Sequence, residues 1–206
     1  MDSTRSHVAV APRGDRPLRV LIVRIGAMGD VLHAMPAVAA LRERHPDWVI
    51  GWAIEPVWRE LLQAESEVHD VAWRFSERDS RRPLVDRWSS VPTRDWKRRP
   101  LSLNTLKDIL WLRRELLGDR YDLCVDMQGS IRSAMVGRMA GAARFVGAAV
   151  PREAPAAWLY KQKIRLSATH VVEQGCELLG AAVVMCGLLI NVFGNKLVAQ
   201  LRRVPA

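Results

Sequence analysis

The sequence predicts an α/β fold, a parallel sheet with crossover helices. Leu18 to Ile25 (LRVLIVRI) is a continuous leucine and β-branched run, the pattern of a strand buried on both faces. Tyr121 to Met127 (YDLCVDM) reads as another buried strand, and both runs end in a glycine-containing turn that opens a helix. Strand, helix and strand then recur at the rhythm of a parallel sheet. At 206 residues and 49% hydrophobic content, the chain can bury one good-sized core, or one domain with an appendage.

The elements follow in order. Residues 1–16 are polar and read as a flexible arm; Val8 to Pro12 is too short for a signal-peptide core, so the chain is not expected to be secreted. After the first strand, Val31, Ala34, Met35, Val38 and Leu41 recur at helical spacing, and the helix is expected to end near His45-Pro46. Trp48 to Ile54 is a second strand, Pro56 to Ala64 a short helix and Val68 to Trp73 a third strand. Phe75 to Pro100, dense in arginine and proline, reads as a long loop or insertion, and such loops are often functional. Leu103 to Leu117 is a helix with Gly118 suited to its C-terminal cap. Gln128-Gly129-Ser130 turns into a helix over Ile131 to Ala140, and Arg144 to Val146 is a short strand. Ala157 to Arg165 and Thr169 to Leu179 are expected as terminal helices. Leu178 to Phe193 is almost free of charge but shorter than the roughly 20 residues of a membrane span, so a buried helix or strand is expected, or a tail foreign to the fold.

Composition narrows the partners. The balance of 31 Lys+Arg against 22 Asp+Glu, a net charge of +9, suits anionic partners or simply a basic solvated surface. No helix-turn-helix, RNP or zinc pattern accompanies that charge, which argues against nucleic acid. Cys124, Cys176 and Cys186 lack paired spacing and sit in apolar surroundings, as reduced thiols of a cytoplasmic protein do.

Asp30 is the candidate for chemistry. It follows the first strand by a few residues, and in open parallel sheets ligands bind beyond the carboxyl ends of the strands. A carboxylate there can take a proton from a hydroxyl nucleophile; it can equally be an N-cap. Gly26 and Gly29 would let the backbone approach a ligand or adopt positive φ. The turn is neither GxGxxG nor a phosphate-binding P-loop. Gln128, Gly129 and Ser130 lie at the same sheet edge. Asp126 either faces the ligand or hydrogen-bonds its own turn, His33 either helps the site or packs, and His170 has no evident partner.

RVLIVRIGAMGDVLHAMPAVAALRERHP (19–46) resembles the opening of the ADP-heptose:lipopolysaccharide heptosyltransferases, glycosyltransferase family 9. TRDWKRRP (93–100), YDLCVDMQGSIRSA (121–134), PREAPAAWLYKQKI (151–164) and THVVEQ (169–174) continue the resemblance in register, over about residues 18 to 180. The pattern is most like the heptosyltransferase I branch, which adds the first heptose to the inner core. The resemblance implies a GT-B architecture of two Rossmann-like domains facing a cleft, this chain being the N-terminal, acceptor-binding half (17–180). It implies an inverting displacement without an essential metal or other cofactor, ADP-heptose as donor and Kdo-lipid A as acceptor, at the inner face of the inner membrane. Asp30 becomes the general base; Arg94, Lys97 and Arg98 contact the acidic acceptor; Trp96 stacks on a sugar face; and the turn of Asp126, Gln128 and Gly129 lines the cleft, which adds Gln128 and Arg132 to the acceptor-binding candidates and makes Asp126 a secondary one. Residues 181–206 are expected as an apolar and basic tail, because VVMCGLLINVFGNKLVAQLRRVPA matches no expected continuation. A donor domain with its own glycine-rich turn and lysine is therefore expected to be mostly absent, leaving the chain alone poorly active. Two further readings are a related transferase with another acceptor, and a non-catalytic module binding an anionic membrane surface.

Overall fold

The computed structural model describes residues 17–62 and 84–186. Six parallel strands form one sheet in the order β3-β2-β1-β4-β5-β6. They are β1 (Arg19–Val23), β2 (Val49–Ile54), β3 (Arg87–Ser90), β4 (Leu123–Asp126), β5 (Arg144–Ala148) and β6 (Gln162–Ile164). Val20 and Ile22 of β1 face one apolar layer, while Leu21 and Val23 face the other. A strand buried on both sides explains why β1 carries no alternation of polar residues.

The helices divide between those layers. α1 (Met28–Arg44) and α5 (Val171–Met185) pack on the face with Val20, Ile22, Ile50 and Leu123; α3 (Leu103–Gly118) and α4 (Ile131–Met139) cover the face with Leu21, Cys124 and Phe145. The chain after β1 crosses to one side and the chain after β4 to the other. The strand order therefore reverses between β1 and β4, and in this doubly wound arrangement ligands occupy the crevice beyond those two strand ends.

Several expectations need correction. The 75–100 stretch is not one long loop: it carries β3 and a short helix α2 (Thr93–Arg98), while 75–83 lie outside the described residues. An edge strand of four residues with only Ser89 buried has no hydrophobic alternation to betray it. Ala157 to Arg165 is not a helix; a 3-10 turn over Ala154–Trp158 leads into β6, which pairs with Val146–Ala148. Gly118 does not cap α3 in the left-handed region. The helix closes through Asp119, and the positive φ of 50° falls on Arg120. α5 runs through residue 180 to Met185, because Leu178, Leu179 and Ala182 continue its buried face. A boundary at 180–181 thus cuts a helix. No described helix is long and apolar enough to cross a membrane. The arm 1–16, the strand at Val68 to Trp73 and most of the tail (187–206) lie outside the described residues.

Candidate functional site

A cavity of about 350 Å³ opens where β1 and β4 end, within the usual size of small-molecule sites. Arg24, Asp30, His33, Gln128, Gly129 and Arg152 line it with polar groups, and the N-terminal turns of α5 close its apolar wall. Asp30 is not the N-cap of α1. That position falls to Ala27, which makes no side-chain cap, and Asp30 lies within the first turn of the helix. Its Oδ1 lies 3.1 Å from Nη2 of Arg24, with 34% of the side chain exposed against 11% for Arg24. The carboxylate therefore faces the cavity while its cation is sunk behind it.

Arg24 is one residue that sequence reasoning missed. Its Nη1 donates to the Met127 carbonyl, so one guanidinium joins the two turns at the end of the sheet. Burial pulls the Arg24 pKa below its usual value, an effect that the adjacent Asp30 carboxylate opposes. The signal was available: Arg24 is the one charge near the end of LIVRI, a run otherwise committed to the core. Such a charge is kept in a strand only if it finds a partner.

The β4 turn is stiffened by Asp126, which is almost fully buried. Its Oδ1 accepts from the backbone N–H groups of Gln128 (2.9 Å) and Gly129 (3.1 Å), and its Oδ2 from the hydroxyls of Ser133 (2.9 Å) and Tyr160 (2.8 Å). Burial raises its pKa, against the pull of these donors. Of the two roles open to Asp126, the structure supports the turn-holding one. Gln128 crosses to the other turn, its Oε1 accepting from the Ile25 N–H at 2.7 Å. Ser130 and Ser133 form a reciprocal capping box at the start of α4. Gly129 has φ 71°, and a Cβ there would stand 2.9 Å from the backbone nitrogen of Arg152. Gly26 and Gly29, by contrast, do not adopt positive φ.

The basic segment forms a second site. Lys97, Trp96 and Arg132 border a separate hollow between α2, α3 and the start of α4. Buried Glu55 anchors α2 there, accepting from the Thr93 hydroxyl (2.6 Å) and the Arg94 N–H (3.2 Å). Trp96 is half-buried against the core, not freely presented for stacking, and its Nε1 has no hydrogen-bond partner among the described residues. Arg94 lies over the Trp58 ring, whose indole abuts Gly26, so it reaches toward the Asp30 turn. Arg98 is exposed and lines neither hollow. The structure thus brings Asp30, His33, Gln128 and Gly129 together and places Trp96, Lys97 and Arg132 next door. His170, without a partner in the sequence, caps α5 through its Nδ1.

A doubly wound parallel sheet with an acid at its switch-point cavity defines a Rossmann-like domain, and the likeness to solved proteins is to glycosyltransferases of the GT-B kind. The sequence profile of glycosyltransferase family 9 (heptosyltransferase) matches residues 109–192. That match runs beyond the point near residue 180 at which the sequence reading ended the resemblance. Lipopolysaccharide heptosyltransferase 1 of Salmonella typhimurium is 29% identical over 164 residues, covering 78% of this chain and 46% of that protein. The Pseudomonas aeruginosa protein of the same name is 28% identical over 175 residues, 81% of this chain and 43% of its own length. The structure of E. coli heptosyltransferase WaaC with ADP-2-deoxy-2-fluoro heptose is similar at a TM-score of 0.66 and 26% identity, over 92% of this chain and 56% of that one. The chain spans about half the length of the curated relatives it matches.

Proposed function

We propose that this chain supplies the acceptor side and the general base of a lipopolysaccharide heptosyltransferase, its described domain being the acceptor-binding half. The donor is ADP-heptose, a proposal supported by the relative solved with an ADP-heptose analogue. The acceptor is the Kdo-lipid A inner core, met at the inner face of the inner membrane. The observation that carries this reading is the partly exposed Asp30 carboxylate facing the switch-point cavity with Arg24 behind it.

In the reaction, an acceptor hydroxyl attacks the anomeric carbon of the heptose from the face opposite the leaving ADP. Its proton passes to Asp30 as the new C–O bond forms and the bond to the diphosphate breaks, which inverts the centre. A hydroxyl is a poor nucleophile until that proton is taken, and a positioned base contributes about a hundredfold or more. Arg152 and Arg24 give the cavity positive character. Lys97 and Arg132 at the neighbouring hollow, with Arg94 above Trp58, are the groups for the acceptor's carboxylates and phosphates, which guanidinium forks grip in pairs.

The test joins this chain to the donor-binding half of a relative and measures heptose transfer to Kdo-lipid A. Asp30→Asn should lower the rate by about a hundredfold or more while acceptor binding persists. Transfer near the wild-type rate would refute the base assignment.

A further inference from the structure

The outward face of α3 has no role in the site described above. Leu103, Leu106, Leu110 and Leu117 are 76%, 53%, 54% and 41% exposed. Their spacing of three, four and seven residues places them in one stripe along the helix. Thr105, Leu112 and Leu116 already supply the buried face, so this stripe is a second apolar surface on the same helix. At 100° per residue, Arg113 borders the stripe on one side and Lys107 and Arg114 on the other. The acids of the helix lie away from it: Glu115 turns to the sheet edge and accepts from the Ser89 hydroxyl. Leu101, just before α3, is 98% exposed.

Contiguous apolar surface on a soluble domain marks a contact, and the surrounding charge identifies what is contacted. Over 94–114 the chain carries seven Lys or Arg and only two acids, Asp95 and Asp108. A helix with leucines between two rows of cations is suited to lie in the plane of a bilayer, its side chains among the acyl ends and its cations at anionic headgroups. We propose that the Leu103–Leu106–Leu110–Leu117 stripe of α3, edged by Lys107, Arg113 and Arg114, docks this domain on an anionic lipid bilayer. The inference deepens, and for its biological sense rests on, the reading of a membrane-borne acceptor. Placed so, α3 brings the Lys97–Arg132 hollow, which Thr105 and Ile109 also line, close to the lipid surface.

The experiment sediments the 206-residue chain with vesicles of phosphatidylethanolamine and phosphatidylglycerol, and with phosphatidylcholine vesicles as the neutral comparison. Binding is expected to the anionic vesicles, to fall with added salt, and to weaken by about tenfold or more in Leu106→Glu/Leu110→Glu. Arg113→Glu/Arg114→Glu should weaken it by about fivefold or more, and circular dichroism should show both variants folded as the parent. Absence of vesicle binding, or binding that both variants leave intact, would overturn the proposal. So would a concentration-dependent dimer that uses the stripe in place of lipid. The vesicles hold neither Kdo nor donor, and Asp30→Asn is expected to bind them as the parent does. Failure of the docking surface and failure of the transferase reading are therefore distinguishable.

Discussion

Around Asp30 the polar groups are tied to one another: Arg24 to Asp30 and Met127, Gln128 to Ile25, and Asp126 to four donors. Along the outer side of α2 and α3 the side chains of Lys97, Arg98, Lys107, Arg113 and Arg114 are exposed, and none forms an ion pair with a described residue. The first region is preorganised, which suits a transition state whose atoms must be held to a fraction of an ångström. The second is held at its base by Glu55 but free at its tips, which suits a charged partner of variable outline.

The sharpest way to break that contrast is to untie the first region. Asp126→Ala removes the acceptor of two buried backbone N–H groups and two buried hydroxyls. We expect about 3–5 kcal/mol of lost stability in urea unfolding. A loss near that of an ordinary surface substitution would mean that the turn does not depend on this carboxylate.

Arg24→Met addresses function more than folding. With the cation gone, Asp30 loses its only close charged partner among the described residues, and transfer in the fused enzyme should fall by tenfold or more, roughly half the Asp30→Asn effect on a logarithmic scale. Arg24→Lys keeps the charge but not the fork and should fall between the two. Equal activity in all three would make the ion pair incidental to catalysis.

Gly129→Ala places a Cβ at a positive φ and against the Arg152 backbone, for an expected loss of about 1–2 kcal/mol by calorimetry. The smallest effect lies far from both regions. Burial lowers the pKa of His45, stacked on Trp48 at 3.8 Å, so the folded chain resists its protonation. That contribution is complete above the unfolded value of about 6.5 and is lost as pH falls through the lower folded value. His45→Gln should therefore flatten the decline of melting temperature between about pH 7 and pH 5, and an unchanged slope would assign that decline to other groups.

The rigid region was also the more legible in sequence. β1, β2 and β4 announce themselves as apolar runs, and α1 and α3 through periodic burial, because elements committed to a core on both sides leave little choice of residue type. β3 and β6 escaped notice since each is an edge strand, short and paired on one side only: Arg87 and Trp88 are only partly buried and Lys163 is exposed, so neither strand forms an apolar run. Asp30, Gln128 and Gly129 were placed at the site by the glycine turns. Arg24, Glu55 and Arg152 were missed because their importance lies in partners distant along the chain: Met127, Thr93 and the Gly129 turn. The exposed leucines of α3 could not be told from core by their helical period, which gives a face and not its surroundings.

The hydrogen bond from the Ile25 amide to the Gln128 side chain spans 103 positions of sequence to clasp two loops into a single latch. One proton on one nitrogen thus reports on both: whenever the second loop swings away, the Ile25 amide is laid open to solvent deuterium. Its exchange clock would time the breathing of the whole cleft, with no substrate needed and no label beyond heavy water.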